Sequence, residues 1–357
     1  MTQSRRIVLR ADASQSIGTG HVMRCATLAA ELRGRGWLAT LAARELPPLL
    51  ERSLLAEGIE VFRLPELPVD AEPAHLGAHL GSPVDVVVTD HYDIGAPWQR
   101  QAAAWATLVM AIDDLADRPQ EVEILLNQNL GVDETRYRGL VGPTATVLTG
   151  PRYALLRPEF AAARAHDRQR SGTVNRILVF MSGADRDNTT LTVARAAAAV
   201  GVAVDVVVGA AYAFEPKLRD LAARFPNLAV HVNTPHMVAL MDQADLAIGA
   251  AGSSSWERCT LGLPTILVAL ADNQIEGARS LVEAGAAVSL GWHDQVGEAD
   301  VVGALETLIA NPARIRAMSS AAALVTDGLG TRRVADVIEQ RLGSGTAEPS
   351  RNDGETR

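Results

Sequence analysis

Gly18-Thr19-Gly20-His21-Val22-Met23-Arg24 is the first stretch of the chain whose residue types could do chemistry. It follows the apolar run Ile7-Val8-Leu9 and opens an amphipathic segment carrying Leu28, Leu32 and Trp37. That is the pattern of a strand, a glycine turn and a helix. Glycine lets a backbone approach a ligand, and the first turn of a helix offers N–H groups without internal partners. His21 falls on that turn, where the helix dipole favours a neutral imidazole. A neutral imidazole beside a ligand can act as a general base, and His21 is expected to activate water.

A second stretch has a different chemistry. Gly249 to Ser255 is a run of small residues after the apolar segment 246–248, and it leads into a helix holding Trp256, Glu257 and Cys259. Backbone N–H groups and serine hydroxyls in such a loop can hold a diphosphate without lysine. Glu257, one turn into the helix, could accept both hydroxyls of a ribose. The same loop could be a plain tight turn, and the same glutamate a favourable charge at a helix start.

The elements that must position these residues alternate. Short apolar runs fall at 7–10, 39–43, 59–64, 84–89, 108–112, 123–126 and 146–148, with helical patterns between them at 21–35, 47–57 and 97–104. The second half repeats this grammar, with strands expected at 176–181, 203–208, 228–232, 246–248, 265–270 and 287–290. Helices are expected there at 188–200, 213–224, 237–244, 255–261, 274–284 and 298–309. Near-continuous apolar strands suit parallel sheets buried on both faces, and the alternation predicts an α/β, doubly wound architecture. Two such units in series predict two Rossmann-like domains facing across a cleft: 1–158, a linker at 159–174, 175–342, and a disordered polar tail at 343–357.

Ligands of parallel sheets gather beyond the carboxyl ends of the strands. Those ends carry Asp90-His91-Tyr92-Asp93, Asp113-Asp114, Ser182-Gly183 with Asp185 and Asn188, and Asp272-Asn273-Gln274. The aspartates and His91 could ligate a divalent cation but equally cap loops, and no metal is expected. No Gly-x-x-x-x-Gly-Lys-Ser/Thr is present, and Gly18-x-Gly20 lacks the third glycine of a dinucleotide fingerprint. Neither a Walker-type ATPase nor a nicotinamide enzyme is expected, and no cofactor is called for.

The 357 residues are long for one core, and 48% of them are hydrophobic. Net charge is −9, so nucleic acid is not an expected partner; Lys217 is the sole lysine and reads as a composition bias. Cys25 and Cys259 stand far apart with no metal-ligand spacing and read as buried, reduced thiols. Arg5 and Arg6 precede no sustained apolar core, and no run reaches the roughly 18 apolar residues of a membrane span. A cytoplasmic protein with no membrane contact is expected, as a monomer.

Taken together, several motifs carry a resemblance. Gly18-Thr19-Gly20-His21 with Arg24, Ile112 to Arg118 (IDDLADR), Asn127-Gln128-Asn129, and Gly252 to Pro264 (GSSSWERCTLGLP) with Asn273-Gln274 resemble the UDP-sugar hydrolases of pseudaminic acid biosynthesis over roughly residues 6–340. The second half also resembles inverting GT-B glycosyltransferases that use UDP-N-acetylglucosamine in peptidoglycan synthesis. The resemblance implies a GT-B fold and a metal-independent hydrolase. It would cleave the anomeric C1–O bond of UDP-2,4-diacetamido-2,4,6-trideoxy-β-L-altropyranose with inversion. The free sugar would pass to a downstream synthase.

Carried onto this chain, the resemblance makes His21 the base, and Tyr92, Asn273 and Gln274 sugar contacts. Gly252, Ser253, Ser254 and Ser255 become the diphosphate cradle, and Glu257 the ribose ligand. The segment before Met237, with Thr234, would hold uracil, and Gly20 and Arg24 would lie against the substrate. Ala251-Gly252 departs from the paired glycines common in the family, which alanine tolerates while its φ stays negative. An inverting glycosyltransferase with the same donor site, or a UDP-sugar 2-epimerase that hydrolyses its substrate, fits the same residues.

Overall fold

The computed structural model describes residues 4–14, 17–81, 83–183 and 185–344. Seven strands build the first sheet: β1 (Arg6–Ala11), β2 (Leu38–Ala43), β3 (Glu60–Arg63), β4 (Val84–Asp90), β5 (Ala106–Ile112), β6 (Ile124–Asn127) and β7 (Thr146–Thr149). They lie in the order β3-β2-β1-β4-β5-β6-β7, all parallel. Six more build the second: β8 (Arg176–Phe180), β9 (Ala203–Val208), β10 (Leu228–Val232), β11 (Leu246–Ala250), β12 (Thr265–Ala269) and β13 (Ala287–Trp292). Their order is β10-β9-β8-β11-β12-β13, again all parallel.

The strands are apolar throughout because both faces are covered. On one face of the first sheet Ile7, Leu9, Val86, Val88, Met110 and Leu126 pack under Val22, Cys25, Leu28 and Leu32 of the helix Gly20–Gly34. On the other, Val8, Val87, Val109 and Leu125 pack with Leu76 and Trp98. The second sheet repeats this, with Val179, Val206 and Ile248 on one face and Leu178, Val207 and Ala247 on the other. Alternation of period two along each strand therefore feeds two cores.

In each sheet the winding direction reverses once, between β1 and β4 and between β8 and β11. The loops leaving those paired strands diverge and open a crevice, the usual ligand position of doubly wound sheets. The two glycine-bearing stretches of the sequence follow β1 and β11, so each sits at a reversal point.

Two features tie the units to one another. The segment 159–174, the expected linker, packs onto the second unit. The helix Pro158–Arg164 puts Phe160 into the second core, and Arg164 and Arg170 donate to carbonyls of Thr260, Ala323, Ala244 and Gly262. Those contacts offer the carbonyls at helix ends and turns the donors they need. The last helix, Gly330–Ser344, crosses back to the first sheet, where Val334, Ala335 and Ile338 are fully buried. Burying Val334 and Ile338 contributes about 3–6 kcal/mol to holding this helix on the first sheet. Gly330 makes the crossing possible, since a Cβ there would lie 2.3 Å from the Ala154 carbonyl oxygen. The polar tail expected at 343–357 begins inside this helix, which ends at Ser344, and 345–357 lie outside the described residues.

Candidate functional site

The site begins where β1 and β4 separate. Gly18, at φ +80°, turns the chain from β1 into the helix Gly20–Gly34. His21 sits in that first turn with its side chain 10% exposed. Asp90 is the last residue of β4, in register with Ala11 of β1, and is 1% exposed. Adjacency of β1 and β4 thus brings together residues far apart in sequence: His21 Nδ1 lies 2.6 Å from Asp90 Oδ1.

Arg24, one turn after His21, holds the same carboxylate from both sides. Its Nε donates to Oδ2 at 2.5 Å and its Nη2 to Oδ1 at 2.6 Å. Burial works to raise the Asp90 carboxyl, but the charges of Arg24 and His21 and their hydrogen bonds overcome it and hold it well below the usual carboxylate range. An ionised carboxylate only accepts, so His21 Nδ1 carries a proton toward Oδ1, and in the neutral ring the lone pair is then on Nε2. That is the tautomer a general base needs. The helix dipole alone would favour a neutral ring; the carboxylate of Asp90 also fixes which nitrogen carries the proton.

On the sequence alone Arg24 could contact ligand or brace a carboxylate. Its remaining nitrogen donates to Asp114 at 2.9 and 3.1 Å, and its side chain is 8% exposed. It braces the two carboxylates of Asp90 and Asp114. The candidate cation ligands are engaged in the same way: His91 pairs with Asp12 at 3.2 Å, and Asp113 accepts from Tyr137 at 2.8 Å. Among the described residues no group of three His, Cys, Asp or Glu is gathered to hold a metal.

Across the cleft, the loop after β11 enters the short helix Ser254–Thr260. Among the described residues no acceptor is found for the amides of Gly252, Ser253 and Ser254, while Ser255 and Trp256 already donate to Gly252 and Ser253. Arg258, 1% exposed, threads beneath the loop and donates to the Ala250 carbonyl at 2.7 Å and to the hydroxyls of Ser255 and Ser254 at 2.9 and 3.1 Å. Gly249 leaves it room, since a Cβ there would lie 2.6 Å from Arg258 Nη1. Ser255 in turn donates to the Ala250 carbonyl, so its hydroxyl is structural. Ser254, already accepting from Arg258, has its own proton free to donate outward. Arg258 went unremarked in the sequence. Its signal was an arginine directly after Glu257 on the short helix that follows the small-residue loop.

Glu257 is partly buried and has no side-chain hydrogen bond among the described residues. Burial, only partly countered by the charges of Arg157 and Arg258, pushes its carboxyl up to about 7. An unpartnered carboxylate at such a cost is poised for hydroxyl donors. Gln274 uses its Oε1 to accept from Leu270 N at 3.0 Å, and its Nε2 lies 3.5 Å from where a Cβ on Gly252 would be. Thr234 accepts from His236 N at 3.1 Å in a local turn beyond β10, and Met237 packs beside Phe180 and Leu240. No hydrogen bond ties those two to the cradle.

The two halves meet around these groups. A Cβ on Gly20 would lie 3.9 Å from Ser253 Oγ, so the turn bearing His21 faces the amide cradle directly. Asn273 Nδ2 donates to the Tyr92 hydroxyl at 2.9 Å, and the Tyr92 ring stands edge-on to His21 at 4.9 Å. A cavity of about 120 Å³ lies beside this bridge, between Asp114, Asn129 and Arg136 of one half and Asp272, Asn273 and Glu276 of the other.

Comparison with known proteins bears on the fold. The chain superposes on the crystal structure of Acinetobacter baumannii MurG over 95% of its own length and 100% of that chain, with a TM-score of 0.68 at 17% identity. The fold is GT-B. Residues 193–340, most of the second GT-B half, match the family model of the Glycosyltransferase family 28 C-terminal domain. The spore coat polysaccharide biosynthesis protein SpsG of Bacillus subtilis is 26% identical over 92% of this chain and 96% of its own. A UDP-2,4-diacetamido-2,4,6-trideoxy-beta-L-altropyranose hydrolase of Campylobacter jejuni is 24% identical over 78% of this chain and 97% of its own. No helix among the described residues is long and apolar enough to cross a membrane.

Proposed function

We propose that this GT-B protein is a UDP-sugar hydrolase of the kind that releases a diacetamido-trideoxy sugar from UDP with inversion. The observation that carries the reading is the Asp90-held imidazole of His21 facing a loop of unpaired amides across the cleft. UDP lies on the second half: diphosphate on the amides of Gly252, Ser253 and Ser254, ribose on Glu257, and uracil near Thr234 and Met237. The sugar lies toward Tyr92, Asn273 and Gln274. His21 Nε2 takes a proton from water as the water oxygen bonds to the anomeric carbon. The C1–O bond breaks on the opposite face, and its electron pair leaves with the diphosphate, which the cradle's N–H groups stabilise. UDP is a good leaving group and needs little acid help, so one base suffices.

Likeness to the Campylobacter hydrolase along nearly its whole length supports this reading. An inverting glycosyltransferase is the second reading, favoured by the match of residues 193–340 to a transferase family domain. There a sugar hydroxyl replaces water and His21 keeps its role. Exchange of His21 for Asn tests the base in either case. Loss of ~10²–10⁴ in turnover with UDP binding kept is expected, and near-normal turnover would overturn the assignment.

A further inference from the structure

The proposed reaction uses His21 and its partner Asp90 but gives Arg24 and Asp114 nothing to do. Both are nearly buried, with side-chain exposures of 8% and 12%, and the chain of contacts is unbroken. His21 Nδ1 meets Asp90 Oδ1 at 2.6 Å, Asp90 meets Arg24 at 2.5 and 2.6 Å, and Arg24 meets Asp114 at 2.9 Å. We propose that Arg24 and Asp114 are positioning residues for the base, forming with Asp90 a buried chain of alternating charge that presents one net negative charge to His21 Nδ1. The proposal rests on His21 being the base.

The charge count gives the physical content. Asp90 and Arg24 alone sum to zero, so an imidazolium beside them would find no net counter-charge. Asp114 makes the three sum to −1, and the proton His21 accepts from water then brings the string to neutrality. Buried charges are tolerated only when paired, so this neutrality is reached just as the imidazolium forms. Arg24 also fixes geometry: its fork grips both Asp90 oxygens, which keeps Oδ1 aimed at Nδ1.

The other titratable groups around His21 leave this balance intact. On its own helix, the Cys25 thiol is pushed well above its ordinary range by burial and by Asp90 and stays neutral. After β4, burial and Asp114 push Tyr92 up to about 12, so its hydroxyl stays protonated. Asp12 at the end of β1 and His91 pair with each other, Asp12 also pairs with Arg10, and Asp93 lies beside His91. Asp113 pairs with Arg118 and Tyr137. The second half brings the uncharged Ser253 and Asn273 nearest to His21; farther out, across the cavity from Asp114, lie Asp272 and Glu276, the latter paired with Arg136.

The test is titration of His21 in the ligand-free protein by long-range proton–nitrogen NMR of the imidazole, its signals assigned by their absence in His21→Asn. The wild type should show the Nδ1–H tautomer. Asp114→Asn should move the midpoint down by about half a unit, since a charge acting at second remove is lost. Asp114→Glu keeps the charge and should stay near wild type. Arg24→Gln removes the cation and should move the midpoint up by about one unit. In turnover, Asp114→Asn should lower kcat with KM unchanged and carry the acid limb of the pH profile in the NMR direction. A midpoint in Asp114→Asn that stays put or rises would overturn the proposal. Failure of His21 as base would show separately, as turnover surviving in His21→Asn, while the NMR arm needs no substrate at all.

Discussion

Replacement of Asp90 by Asn removes one charge and almost no volume from the centre of the site. The carboxylate accepts from His21 Nδ1, Arg24 Nε and Arg24 Nη2 at 2.5–2.6 Å, with Cys25 Sγ at 3.8 Å. An amide has a single acceptor oxygen. If that oxygen turns to His21, the amide NH2 meets Arg24 Nε, donor against donor. If it turns to Arg24, the NH2 donates to Nδ1 and the imidazole must carry its proton on Nε2, with no lone pair left for water. Either arrangement leaves an unsatisfied contact, and the imidazolium loses its counter-ion. Stability should fall by about 1–3 kcal/mol, less than for a fully orphaned buried pair because Arg24 keeps Asp114. Turnover should fall by ~10³–10⁴, the scale of losing a base together with the carboxylate that orients it. UDP affinity should hold, because the cradle lies on the other half. The assay is UDP release under saturating donor, with calorimetric UDP binding and thermal unfolding as controls. An Asp90→Asn variant that binds UDP, stays folded and turns over within about tenfold of wild type would refute the tautomer argument.

Two further outcomes depend on pH. In the proposed site Glu257 takes both ribose hydroxyls, which it does best as a carboxylate, and its folded-state value is raised to about 7. Affinity for UDP-glucose, which has no group titrating nearby, should therefore weaken about tenfold between pH 8 and pH 6; Glu257→Gln should bind weakly and without pH dependence, and a flat wild-type profile would remove Glu257 from the ligand. Asp12 and Asp90 are both depressed, by His91, Arg10 and backbone amides in one case and by Arg24 and His21 in the other, against burial that works the opposite way. Depressed carboxylates add stability that is complete above their unfolded value of about 3.9 and is lost as pH falls below it. The thermal midpoint should hold from pH 7 to about 5 and then drop steeply, with a shallower drop in Asp12→Asn; equal slopes in both proteins would show that Asp12 is not coupled to folding.

The strands were legible because parallel sheets demand apolar residues on both faces, and each of the thirteen expected runs became a strand within a residue or two. The helix Glu72–Leu80 was not read, since Glu72 and Pro73 at its start look solvated, yet Glu72 is fully buried against Arg10. The crossing of Gly330–Ser344 to the first sheet was invisible for a different reason: amphipathicity shows that a helix has a buried face, not which sheet covers it. The residues of the site were mostly legible by type and less so by partner. Asp90 stood in view as part of a loop cluster, but its pairing with His21 spans 69 residues and exists only because β4 lies beside β1. That order is common in doubly wound sheets, so an acid closing the fourth strand is a signal that could have been used. Arg24 illustrates the converse, since a cation one turn after a base reads equally well as a ligand contact or a brace until the carboxylates around it are placed.

The central claim is that water attacks the anomeric carbon of a UDP-linked diacetamido sugar at His21. It is tested most directly by incubating the protein with UDP-2,4-diacetamido-2,4,6-trideoxy-β-L-altropyranose alone in heavy water and following the products by NMR. Hydrolysis at C1 should give stoichiometric UDP and free sugar without any acceptor, with the first-formed anomer inverted and no deuterium at C2. A donor that stays intact until an acceptor is added, or deuterium appearing at C2, would contradict it.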